Sequence, residues 1–291
     1  MTALIARADR ALLAAGPARR LIEVRTLLAV AMGVQLVVRP WRQLVDRPPQ
    51  LFDPVAVVAW LSAPPSPRTV VAVQCVGLVA AVVTVLRLAP RAGFAVAWAA
   101  YVFLAAVWGS SGKVMHNDVL LITVAFPLVF APAPTRAESD SVDVRWGWGP
   151  RASLAALAAV YFATGYQKLR HSGLAWVFSD NMSWVLRQGT SVFGHHLNQV
   201  VADQPALTRA LAAGALALEL AAPVLLSFRR TRPLFVLGAL LMHASIWLFL
   251  GLDYSPWVLA SAAVALPLSR SWPPSATTVR APQRRGVLLV R

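Results

Sequence analysis

Tyr161-Phe-Ala-Thr-Gly-Tyr-Gln-Lys168-Leu-Arg-His-Ser-Gly-Leu-Ala-Trp176 closes a long apolar run that begins near Ala152. The run predicts a membrane-type helix. Tyr161, Thr164 and Lys168 are spaced three and four residues apart, so they share one face of it. An ammonium group therefore stands at the end of an apolar helix, with two hydroxyl-bearing side chains stacked beneath it. Lys113 and Lys168 are the two lysines among 27 basic residues; the others are arginine. Arginine stays charged at physiological pH, whereas a buried lysine can lose its proton. A site that needs a proton acceptor can use lysine and not arginine. The alternative is a lysine snorkelling to the surface to mark a helix end.

Working outward, the composition sets the class. The chain has 291 residues, 58% hydrophobic and 13% charged, with a mean hydropathy of +0.61. Soluble domains carry roughly 25% charged residues. An all-α, polytopic helical membrane protein is expected, partnered by the lipid bilayer. The formal charge of +15 invites a nucleic-acid reading. The arginines, however, fall between apolar runs rather than in one patch, which argues against nucleic acid as a partner. Cys75 is the single cysteine and cannot form an internal disulfide. Asp9 and Arg10 interrupt the first twenty residues, so no signal-peptide shape is present there.

Eight spans are read, at about 21–38, 69–88, 92–108, 118–131, 152–167, 207–228, 233–250 and 255–268. The segment 1–20 is a basic N-terminal stretch, 21–268 the transmembrane domain, and 269–291 a basic, disordered tail. The short apolar segment Leu51–Leu61, with Pro54 inside it, reads as an interfacial or re-entrant helix. With the N-terminus inside, seventeen basic residues lie on the cytoplasmic side and eight outside; Arg25 and Arg209 fall within helices. That bias places both termini in the cytoplasm and the protein in the cytoplasmic membrane. His116, Asn117, Lys168, His195 and His196 then gather at the external end, together with Lys113.

Several polar groups are candidates for chemistry. Asn117 or Asp118 suits the N-cap of the fourth span, which leaves His116 to act as a base, an orienting group or a donor to a quinone oxygen. Glu219 and His243 lie within the sixth and seventh spans. Ionisable groups in hydrocarbon are costly unless paired and usually mark function. These two stand on sequential helices and are expected to pair with each other, either for function or as a structural bond. Gln35 and Gln74 read as interhelical hydrogen-bonding residues. His195-His196 cannot both ligate one metal from a regular helix, and no metal site is expected. Trp41, Trp60, Trp108, Trp146, Trp148, Trp176, Trp184 and Trp257 read as an aromatic belt.

Four motifs in order resemble the HTTM (horizontally transferred transmembrane) group, a relative of the vitamin K-dependent gamma-carboxylase. They are Tyr-Phe-Ala-Thr-Gly165-Tyr-Gln-Lys168-Leu with Trp176, Met-His116-Asn117-Asp-Val-Leu-Leu, Leu-Glu219-Leu-Ala-Ala-Pro223, and Met-His243-Ala-Ser-Ile-Trp followed by Ser255-Pro256-Trp257. The resemblance implies that Lys168 is the base that deprotonates a reduced quinone of the vitamin K type. It implies that His116 and Asn117 sit at that quinol, facing the exterior. His243, Glu219 and Tyr161 are the candidate cofactor-binding residues of the same cavity. Two departures stand out. Nothing corresponds to the carboxylase's large lumenal domain, since the longest external loop has about 38 residues. Trp176 is followed by Val-Phe-Ser, without the family's glycine. These shift the expectation from peptide carboxylation toward quinol chemistry. The alternatives are a non-enzymatic maturation, export or immunity partner that binds a lipid or peptide, and a proton-coupled transporter using Glu219 and His243.

Overall fold

A computed structural model describes residues 13–44, 46–110 and 116–267. The tail 269–291, residues 1–12 and Lys113 lie outside the described residues. The long helices are α1 (Ala18–Val38), α2 (Pro67–Val85), α3 (Pro90–Gly109), α4 (Val119–Phe130) and α5 (Val144–Ser172). Three short helices follow, α6 (Ala175–Phe178), α7 (Asn181–Gln188) and α8 (His195–Ala202). Then come α9 (Pro205–Ser227), α10 (Arg232–Leu250) and α11 (Ser255–Ala265). Each of the eight apolar segments is thus a helix. α2, α3, α9, α10 and α11 carry proline in the first turn. There its missing N–H costs nothing, because the first four amides of a helix have no partner within it.

Five helices, α1, α2, α3, α9 and α10, are long and apolar enough to cross a membrane. The protein is therefore a helical, membrane-associated one. α4 and α11 are shorter, at 12 and 11 residues, or about 18 and 16 Å at 1.5 Å per residue. Arginines of α1 finish them. Arg25, buried within an apolar helix, donates to the carbonyls of Leu128, Ala131 and Pro132 at the end of α4. Arg20 donates to the carbonyls of Val264 and Leu266 at the end of α11. A helix C-terminus has free carbonyls and partial negative charge, so a cation there satisfies both. α1 occupies the middle of the bundle, packed on α2, α5 and α11.

The two ends of the bundle are distinct. At one end, β1 (Gly16–Pro17) pairs antiparallel with β2 (Val142–Asp143). Arg87 donates to the carbonyl of Pro134 there, and Arg20 reaches α11. The segments read as cytoplasmic thus meet one another. At the other end, Asn117 donates to the carbonyl of Asp253 at 2.6 Å, and Trp257 Nε1 donates to the carbonyl of His116.

Three expectations are corrected. The fifth helix starts at Val144, not 152. The Asp143 side chain caps it by accepting from the Arg145 amide, and buried Trp146, bonded to Ser141 Oγ, outweighs the local Gly and Pro signals. Leu51–Leu61 is no interfacial helix. It forms two 3-10 turns, at Pro49–Leu51 and Ala56–Val58. Asp53 and Val55 are instead drawn onto Ser110 at the end of α3. Trp41, Trp146 and Trp257 are buried in the core rather than set in a belt.

Candidate functional site

The site begins with a close approach of α5 and α9. A Cβ added at Gly165 would stand 2.9 Å from Glu219 Cβ, so glycine is what lets the two helices meet there. One turn further along α5, Lys168 Nζ donates to Glu219 Oε1 at 2.5 Å. The carboxylate side chain is 5% exposed and the lysine 22%. The chain then turns back at Gly173, whose φ of 54° lies in the left-handed region where glycine carries no Cβ penalty. That reversal brings Trp176 of α6 over the ammonium, 5.0 Å from the ring centre. A cation over an indole face is attracted by the ring's negative π cloud.

A second group lies across from this pair. Tyr161, wholly buried on α5, places its hydroxyl 3.0 Å from His243 Nε2 and 3.4 Å from Ser261 Oγ. The His243 ring stacks on Tyr254, with centres 5.2 Å apart and planes 17° apart. The Tyr254 hydroxyl lies 2.9 Å from Nε2 of exposed His116. Burial pushes the Tyr254 phenol above its ordinary pKa, so it stays a neutral hydroxyl there.

Both groups border one cavity of about 740 Å³ between α5, α9, α10 and α7. Lys168, Glu219, His243, His116 and Tyr254 lie in its wall, which is otherwise mostly apolar. Buried polar atoms of that wall take no hydrogen bond: Glu219 Oε2, His243 Nδ1 and Trp176 Nε1. Buried polar groups are normally satisfied; these three, on residues of the cavity wall, are not.

No family model matches the chain, and no curated protein or solved structure does. The site therefore stands on its own geometry.

The structure brings together His116, Lys168, Glu219 and His243, with Tyr161 directly behind His243. Asn117 is not in the cavity wall. Its amide holds the carbonyl of Asp253 and so fixes the turn that carries Tyr254. Asp118 occupies the N-cap position of α4 without capping it. Its two oxygens are taken by Arg39 and by the Tyr101 hydroxyl. Glu219 and His243 do not pair. Glu219 meets Lys168, because Gly165 lets α5 close on α9, and His243 meets Tyr161. Gln35 and Gln74 do tie helices together, to Ser255 Oγ and to the carbonyl of Leu36. Asn198 donates to the carbonyl of Gly189, a bond within the α7–α8 turn. Among the described residues no three His, Cys, Asp or Glu converge on a metal position. Tyr254 is weakly marked in the sequence. Its one signal is its place two residues before the Pro256-Trp257 helix start.

Proposed function

We propose that this chain is a polytopic protein of the cytoplasmic membrane, crossing it about eight times with both termini inside. Its externally facing cavity takes a reduced quinone or a similar lipid-soluble acid and accepts its proton. The observation that carries this reading is the Lys168–Glu219 pair in the wall of an apolar cavity, with one carboxylate oxygen unengaged. The resemblance of the Gly165-to-Lys168 motif to the HTTM group supports the same assignment.

The residues fit such a ligand. The cavity lies within the range of roughly 300–1,000 Å³ usual for small-molecule sites. Trp176, Tyr254 and His243 supply flat aromatic surfaces, and Glu219 Oε2 and His243 Nδ1 are unpaired. A reduced quinone supplies an acidic ring hydroxyl. Glu219 Oε2 accepts a hydrogen bond from it and holds it in place. Lys168 becomes the base once its own proton has passed along the 2.5 Å contact to Glu219 Oε1. Tyr161 fixes the His243 ring through Nε2 and leaves Nδ1 for the ligand. His116, exposed and bonded to Tyr254, offers an exit for protons toward water.

A second reading is a binding helper that holds a lipid without turning it over. The closed ion pair favours it, because Lys168 is engaged as it stands. One experiment separates the two. The protein is reconstituted with menaquinol under oxygen and carbon dioxide, and quinol loss is followed for wild type and Lys168→Ala. Loss of a positioned base typically costs 10²–10⁴-fold, so a drop of about 100-fold or more is expected. Equal rates in the two proteins sink the proton-transfer reading. Quinol binding without wild-type turnover establishes the helper. Reporter fusions at Ser139 and Thr231 are expected inside; an external signal at either overturns the topology.

A further inference from the structure

The cavity is longer than a ring-sized head group requires. On α10 its wall runs from Leu234 to Leu250, seventeen residues or about 24 Å of helix. Its polar base is buried, with Glu219 4% and His243 5% exposed, while its rim is apolar and open, with Leu234 and Leu241 each 60% exposed. α9 and α10 cross where a Cβ at Gly238 would meet Leu218 at 2.9 Å. Above that crossing they spread apart. A Cβ at Gly214 would meet nothing within 4 Å, and Gly214 lies in the cavity wall.

The end near Phe249 is roofed. Buried Leu186 of α7 packs with Met182, Leu211, Phe249 and Leu250 in a small second core. An apolar chain attached to a head group at Glu219 therefore leaves through the flank between α9 and α10. Both helices are long and apolar enough to lie in a bilayer, so that flank opens onto hydrocarbon.

We propose that the groove between α9 and α10 seats the hydrocarbon tail of a single-chain amphiphile that enters sideways from the bilayer, with Gly214 and Leu241 at its mouth. The nature of the head group rests on the reading above; the groove does not. The unpaired, deeply buried Glu219 Oε2 and His243 Nδ1 at its base mark where the head lies. Free space beside Gly214 sets how bulky a tail can pass.

The test uses the full chain in liposomes with a long-chain quinone that carries a photoactivatable diazirine near the tail end. After irradiation, label is expected on the groove-facing peptides 210–225 and 234–249. Gly214→Trp is expected to lower that labelling at least fivefold, and Gly214→Ala to lower it less. Label confined to outward-facing Val76, Val79 and Val82 of α2 overturns the groove. So does groove labelling by a diazirine phospholipid that excess quinone does not displace. Groove labelling that persists while Lys168→Ala turns over quinol like wild type upholds the tail site and removes only the proton-transfer reading.

Discussion

Two ion pairs sit toward the same end of this bundle, and they are built differently. Arg39 and Asp118 pair with side chains 10% and 6% exposed. Both oxygens of Asp118 are engaged, one by Arg39 and one by the Tyr101 hydroxyl. The guanidinium also lies 5.1 Å from the Trp41 ring and 5.9 Å from the Trp108 ring. Glu219 is as deeply placed as Asp118 while Lys168 is more exposed than Arg39; Glu219 keeps one oxygen unpartnered and the pair borders an open cavity. The first pair is saturated and acts as a lock between α1, α3 and α4. The second is left incomplete where a ligand can complete it. Buried charge alone does not distinguish a strut from a site; the count of satisfied atoms does.

The contrast breaks most easily at the lock. Asp118→Ala leaves Arg39 buried without its carboxylate, and breaking such a pair costs about 3–5 kcal/mol. Thermal unfolding in detergent is expected to fall steeply for Asp118→Ala and less for Lys168→Ala, because the Glu219 left behind can take up a proton and become neutral, whereas the Arg39 guanidinium stays charged. Similar shifts for both would erase the distinction.

A matched pair of hydroxyl deletions sharpens it. Tyr101→Phe removes a bond to a charged carboxylate, worth about 1.5–3 kcal/mol, whereas Tyr254→Phe removes a bond worth about 0.5–1.5 kcal/mol. Denaturant unfolding should rank Tyr101→Phe as clearly the worse. Tyr254→Phe keeps the ring stacked on His243, so its larger effect is expected on the proposed quinol reaction.

The smallest expected effect is the most discriminating. Replacing a buried pair by apolar residues of similar volume is often neutral. Lys168→Met with Glu219→Leu should therefore leave unfolding within about 1 kcal/mol of wild type while quinol turnover or binding is lost. A large loss of stability in this double variant would show that the Lys168–Glu219 pair is also a strut.

The helices were legible because each apolar run is bounded by proline, glycine or a basic residue. The face shared by Tyr161, Thr164 and Lys168 was legible from spacing alone. Partners were not. Glu219 was matched to His243 because the two helices follow one another, but Gly165 brings α5 onto α9 across the intervening α6, α7 and α8. Asp118 looked like a cap because the cap position favours aspartate, and nothing local shows that Arg39 and Tyr101 converge on it. Buried Arg25 could not be read as a cap for α4, since its carbonyl partners lie more than 100 residues away. Which side chains meet depends on how helices cross and rotate, and a periodic pattern carries little of that.

Arg20 of the first long helix grips the carbonyls of Val264 and Leu266 on the last. The contact joins residues about as far apart in the described chain as synthesis allows. While the ribosome is still extending the polypeptide, that guanidinium has no carbonyl of α11 to hold. That clasp forms only when the final helix emerges, so a nascent chain interrupted before Ser255 is left with its oldest helix unclasped and open to quality-control proteases.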